Sequence, residues 1–143
     1  MSTDSSVERT LVLLKPDAVE RHLVGEIITR FEHRGLRIAG MKMLRFTKEL
    51  ARKHYAEHLE KPFYSELEEF ITSARCVAMA IEGVDAVLLV RHMMGATKNT
   101  DALPGSIRGD YAPVTQYNLV HGSDCPAAAA REVALFFTDA ELF

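Results

Sequence analysis

Two unbroken apolar runs constrain this chain more than any other feature: Thr10-Leu-Val-Leu-Leu14 and Cys76-Val-Ala-Met-Ala-Ile81. A short continuous run bounded by polar residues reads as a buried strand. Neither run approaches the roughly 18 apolar residues that a membrane span needs. Elsewhere the apolar residues return at helical spacing. Val24, Ile27, Ile28 and Phe31 form one such stripe, with Gly35 placed to cap its end. Pro16-Asp17 stops the first run and suits the first turn of a helix. Leu36 to Phe46 alternates through Ile38, Met41, Met43 and Phe46, which predicts a less regular strand. Thr47 fits the N-cap of a helix through Leu50. Helices are also predicted from Pro62 to Ile71, Asp85 to Met94 and Ala127 to Phe137, with a last short strand at Tyr117-Asn-Leu-Val120.

Two strand–helix–strand halves in this order predict an α+β sandwich, with helices over one face of an antiparallel sheet. A chain of 143 residues is one domain's worth, so residues 1–143 are expected to form a single domain. Hydrophobic residues at 48% and charged residues at 26% are ordinary globular usage, against a disordered, collagen-like or coiled-coil protein. The polar start, Met1 to Arg9, has no signal-peptide core. The expectation is a soluble, cytoplasmic protein with no membrane partner. Two cysteines are too few for a disulfide framework or a four-thiolate metal site. A net charge of −3 gives no nucleic-acid footprint, so any phosphate must be met by a few local cations.

From Gly95 to Gln116 no period holds, and a structureless segment that long is usually functional. Within it Gly105 and Gly109 flank Arg108, a pattern able to present backbone amides and a guanidinium to phosphate. Arg91 lies one helical turn before Gly95 and offers a second fork. Among the six histidines, His121 stands out. It falls between a predicted strand and a predicted helix, where an anionic group is readily met. Gly122 lets the backbone approach a ligand, while Ser123 and Asp124 also read as plain N-caps. An imidazole becomes a nucleophile when its other nitrogen is held, and Glu132 on the following helix is a candidate to hold it. Lys15 closes the first strand. Two patterns are set aside. Gly35 to Lys42 has Walker A glycine spacing, but Met41 stands where the lysine belongs. His54-Tyr-Ala-Glu57-His58 matches H-x-x-E-H, but no third zinc ligand accompanies it.

Four blocks taken together resemble the nucleoside diphosphate kinases: Thr10 to Val19, Gly95-Ala-Thr97, Pro104 to Asp110, and Asn118-Leu-Val-His-Gly-Ser-Asp124. The resemblance runs from about Arg9 to Phe137. It implies a ferredoxin-like βαββαβ sandwich, a homo-oligomer, and transfer of the γ-phosphate of a nucleoside triphosphate to a nucleoside diphosphate. It further implies a ping-pong reaction through a phosphohistidine, with Mg²⁺ on the nucleotide. On this match His121 is the nucleophile, Glu132 holds its other nitrogen and Ser123 supports that carboxylate. Arg91, Thr97 and Arg108 would grip the phosphates. Lys15 and Asn118 would contact the ribose hydroxyls, with Lys15 also near the transferred group, Tyr55 would lie beside the γ-phosphate, and Phe63 would stack on the base. Glu57 and Asp124 would touch Mg²⁺ through water. The segment from Lys98 to Pro104 would close one wall of the cleft and meet neighbouring subunits. A homologue that binds nucleotide without transferring phosphate is the alternative, disfavoured by the joint presence of His121, Lys15, Arg91, Arg108 and Glu132. The sequence departs from the family pattern at Cys125, where serine is usual, and at Lys98-Asn99-Thr100, which lacks a proline. With Phe143 last, no long C-terminal arm is expected, and tetramer and hexamer both stay open.

Overall fold

A computed structural model describes residues 7–143. Residues 1–6, the larger part of the stretch read above as free of a signal-peptide core, lie outside the described residues. The first apolar run lies in strand β1 (Val7–Leu14) and the second in β3 (Arg75–Val84). With β2 (Arg37–Arg45) and β4 (Val120–Gly122) they form one antiparallel sheet in the order β2-β3-β1-β4. This is the ferredoxin-like arrangement: each half is a strand–helix–strand unit split by a strand of the other half. A register shift in the β2–β3 ladder between Ile38 and Gly40 marks the bulge behind the weaker alternation there.

Helices cover both faces, not one. Val12, Leu14, Val77, Met79 and Ile81 pack toward Ile27 and Phe31 of α2 (Val24–His33) and Val90 and Met94 of α5 (Ala86–Met94). Leu11, Leu13, Ala78 and Ala80 pack toward Ala51 of α3 (Lys48–His54), Ile71 of α4 (Tyr64–Thr72) and Val133 and Phe136 of α7 (Pro126–Phe136). The cause is already in the runs. Alternate residues of a strand point to opposite faces, so a continuous apolar run is buried twice. Each fully buried leucine or isoleucine contributes about 1.5–3 kcal/mol of transfer free energy.

Local chemistry sets the helix ends. Gly35 follows α2 at φ +86°, a conformation that costs glycine nothing. Thr47 Oγ1 accepts from the Leu50 amide at 3.0 Å. Four expectations shift. The segment after β1 makes two helices, α1 (Pro16–Glu20) and α2, separated where His22 takes φ +60°. Helix α4 begins at Tyr64, past Pro62. The aperiodic segment holds a short helix, α6 (Ile107–Tyr111), capped by Ser106 Oγ accepting from the Gly109 amide at 3.0 Å. Finally, β4 starts at Val120 because Leu119 is not extended: its φ is +74°. Among the described residues no helix is long and apolar enough to cross a membrane.

Candidate active site

The ends of β1 and β4 meet α3, α5, α6 and α7 around a cleft of about 800 Å³. Lys15, Tyr55, Glu57, Phe63, Arg91, Thr97, Arg108, Asn118, His121, Asp124 and Glu132 all line it. These lie far apart in the chain, and the sheet brings them together: Leu13 pairs with His121 across the β1–β4 ladder. Ser123 is fully buried outside the lining, and its hydroxyl donates to Glu132 Oε1 at 2.7 Å.

His121 Nε2 lies 2.9 Å from the same oxygen. A carboxylate only accepts, so Nε2 carries the proton and Nδ1 keeps a lone pair. Burial holds the His121 pKa below the ordinary histidine value, opposed by the Glu132 hydrogen bond, so the ring is neutral at neutral pH. Burial pushes the Glu132 pKa up, but hydrogen bonds from His121 and Ser123 outweigh it and keep the carboxyl ionised.

Four cations, Lys15, Arg91, Arg108 and Arg131, line the cleft. Lys15 Nζ donates to Asn118 Oδ1 at 2.9 Å. Its pKa is pushed down to about 8, first by burial and then by Arg108, with Asp17 opposing. Arg108, 4% exposed, donates to the carbonyls of Asn118 (3.2 Å), Gly95 (3.1 Å) and Val120 (2.7 Å). These bonds use three of a guanidinium's five N–H groups, leaving one on each terminal nitrogen. Burial and then Arg91 push the Arg108 pKa down to about 10. The Tyr55 hydroxyl, raised above its usual pKa by burial, remains a neutral O–H with no partner among the described residues. Phe63 stands half-exposed at the cleft with Lys61 Nζ 5.8 Å from its ring. Glu57 and Asp124 are exposed oxygen donors on opposite segments of the cleft. That set suits a hard divalent cation that keeps most of its waters and takes its other ligands from a phosphate.

Some expected contributions change. The Gly105 amide donates to Asp110 Oδ1 at 2.9 Å and the Gly109 amide to Ser106 Oγ, so these amides close the loop on itself. Gly122 is small because α5 is close: a Cβ there would sit 2.5 Å from Met94 Sδ. Segment 98–104 contributes no lining residue. Its start, the proline-free Lys98-Asn99-Thr100, is tied down by Asn99, whose amide donates to Thr115 Oγ1 at 3.1 Å and whose side chain donates to the Pro113 carbonyl at 3.0 Å. Cys125 caps α7, its Sγ accepting from the Ala128 amide at 3.5 Å as a serine hydroxyl would.

His54 was set aside with the zinc pattern and belongs in the site. It is 5% exposed, lines the cleft, and lies edge-on to His121 with ring centroids 4.6 Å apart. The pattern itself does not converge, since α3 ends at His54 and His58 falls in the next 3₁₀ turn. The missed signal was helical spacing: His54 follows buried Ala51 by three residues. Arg131 and His58 also line the cleft without having been anticipated.

Comparison with known proteins agrees with this geometry. The family model described as Nucleoside diphosphate kinase matches residues 8–142. A nucleoside diphosphate kinase of Rubrobacter xylanophilus is 59% identical over 131 residues, covering 92% of this chain and 98% of its own. One from Thermus thermophilus is 56% identical over 136 residues, covering 95% and 99%. A halophilic nucleoside diphosphate kinase from Halobacterium salinarum, solved in complex with CDP, matches with TM-score 0.93 at 53% identity, over 95% of this chain and 91% of that one. A transition-state mimic of the Borrelia burgdorferi enzyme, with bound vanadate and ADP, matches with TM-score 0.92 at 33% identity, over 97% and 92%. Sheet order, cleft residues and sequence thus point the same way: the chain belongs to the nucleoside diphosphate kinase family.

Proposed function

We propose that His121 carries the phosphoryl group as the chain moves the γ-phosphate of a nucleoside triphosphate to a nucleoside diphosphate. The observation that supports this most is the Glu132–His121 hydrogen bond at 2.9 Å, which leaves Nδ1 as the nucleophilic nitrogen. The Nδ1 lone pair attacks the γ-phosphorus in line, a P–N bond forms, and the bridging P–O bond breaks. Its electron pair leaves on the departing diphosphate. A second nucleoside diphosphate then takes the phosphoryl group by the reverse step, so the cycle is ping-pong.

The remaining cleft residues position the substrate and neutralise its charge. Arg91, Arg108 and Lys15 face the polyphosphate, and Thr97 and Tyr55 add hydroxyl donors. Asn118 and Lys15 meet the ribose, and Phe63 stacks on the base. Stacking accepts any base because each has a π-face. Glu57 and Asp124 would hold Mg²⁺ through water, and the ion, when bound, offsets phosphate charge. Residues 1–143 act as one domain in a soluble, cytoplasmic enzyme. Subunits associate as a tetramer or hexamer. Edge strand β2 supports this, since it leaves Met41 and Met43 each 54% exposed beside unpaired backbone groups.

The test is intact mass after mixing with Mg²⁺ and ATP, followed by a different nucleoside diphosphate. One phosphoryl group is expected to appear, to leave with the acceptor, and to be absent in His121→Ala. Turnover retained in a folded His121→Ala would overturn the assignment. Binding without any phosphoryl transfer in the wild type would favour the non-catalytic homologue.

A further inference from the structure

Leu119 is fully buried, branched and yet at φ +74°. The Val120 amide donates to the Asn118 carbonyl, two residues back, at 2.8 Å. A bond of that span around a residue near φ +75° makes a γ-turn, a rare and strained form. Such strain persists where the surroundings over-determine it. Here the surroundings bind all three carbonyls of the turn. The Lys15 amide donates to the Leu119 carbonyl at 2.8 Å. Arg108 holds the carbonyls of Asn118 and Val120, and Lys15 Nζ holds the Asn118 side chain. The Leu119 amide donates to Asp17 Oδ2 at 3.1 Å.

The turn changes which way side chains face. Along an extended strand, residues three apart point to opposite faces. Asn118 and His121 are three apart, yet both line the cleft. The γ-turn supplies the reversal. Among the groups that hold it, Lys15, Arg108 and Asn118 belong to the cleft, whereas Asp17 does not. Asp17 Oδ1 is buried with no partner among the described residues, an arrangement that costs stability.

We propose that Asp17 is a positioning residue for phosphoryl transfer, an inference that rests on the reading of His121 above. Its carboxylate fixes the Leu119 amide and so keeps Asn118 and Arg108 on the same side as the His121 lone pair. Without an acceptor at that point the turn relaxes toward an extended strand, and Asn118 swings from the cleft.

The test is the rate of phosphohistidine formation on mixing with Mg²⁺ and ATP, read by rapid quench. If the wild type forms none, the reading of His121 fails, and the loss of that premise overturns the proposal too. If it forms, Asp17→Ala and Asp17→Glu are each expected to slow the step about 10- to 100-fold, the scale of a displacement near 1 Å. Glutamate keeps the charge but moves the acceptor by one methylene. Asp17→Asn is expected to stay close to wild type, because its amide oxygen accepts the same N–H. Hydrogen exchange at the Leu119 amide is expected to stay slow in wild type and Asp17→Asn and to quicken in the others. If Asp17→Ala does not fold, the Glu and Asn variants decide the matter. Wild-type rates in Asp17→Glu, or an Asp17→Asn as slow as Asp17→Glu, would overturn the proposal.

Discussion

Acid should destabilise this fold through one identifiable side chain, His54. Its ring nitrogens are buried and have no partner among the described residues. Its pKa is pushed down from 6.5 to about 3, first by burial and next by His121. Glu132 on α7 opposes the shift, while Lys15 and Arg131 add to it. In the unfolded chain the ring takes a proton near pH 6.5; in the folded protein it stays neutral to about pH 3. Below pH 6.5 the unfolded state therefore binds more protons, and stability falls as pH falls. One proton across the interval from pH 6.5 to 5, at 1.36 kcal/mol per unit, is worth about 2 kcal/mol. That is a sizeable part of the 5–15 kcal/mol typical of a domain. The comparison variant is His54→Phe, an uncharged ring among Phe46, Tyr55 and Phe136. Urea unfolding of both proteins at pH 7.5 and 5 gives the difference of differences. Groups common to both, His121 and Glu132 among them, largely cancel. Wild type should lose about 2 kcal/mol more than His54→Phe between the two pH values. Parallel losses would refute the reasoning, because they would mean that the folded protein accommodates a proton on His54.

Arg108→Lys should lower both activity and thermal stability, since one ammonium cannot reach three carbonyls on two segments. Losing two charge-assisted bonds at about 1.5–3 kcal/mol each should lower Tm by more than about 10 °C in a scanning experiment. Glu132→Gln should slow turnover by roughly 10²-fold, the scale of a misoriented catalytic group. Because Glu132 raises the His121 pKa, the acid limb of its pH–rate profile should move to lower pH. Lys15, near pKa 8, should take up a proton when a nucleoside diphosphate binds at pH 8. Calorimetry in two buffers of different ionisation enthalpy should show it, and the signal should vanish in Lys15→Met.

What the sequence made legible was whatever one residue or one period could encode. Strands β1 and β3 are continuous apolar runs, and α2 is a clean stripe, so all three were readable. Helix α6 was not, because Ile107-Arg-Gly-Asp-Tyr111 owes its form to a cap and to ties from elsewhere: Arg30 pairs with Asp110 at 2.8 Å. The start of β4 was misplaced for a similar reason. Asn-Leu-Val is a plausible strand until the carboxylate of Asp17, 102 residues away, takes the Leu119 amide. Family resemblance named the side chains that face the cleft. It was silent on His54, His58 and Arg131, which line the cleft too, and on Asp17, which lies outside it.

The site itself explains why such supports are needed. Lys15, Arg91 and Arg108 line one cleft. Burial and the Arg108 charge lower the pKa of Lys15, and burial and the Arg91 charge lower that of Arg108. Such a cluster is unfavourable alone and favourable around a polyphosphate, so part of the attraction for substrate is relief of repulsion already present. Holding the cations together before substrate arrives calls for backbone, and one of the cations clamps that backbone itself: Arg108 donates to three carbonyls, while Lys15 Nζ holds the Asn118 side chain and the Lys15 amide holds the Leu119 carbonyl. The same bonds build the turn beside His121 and fix the groups proposed to meet phosphate. Changes at Arg108 or Lys15 should therefore disturb stability, substrate affinity and the chemical step together, and separating these effects requires a residue such as Asp17 that supports the site from outside the cleft.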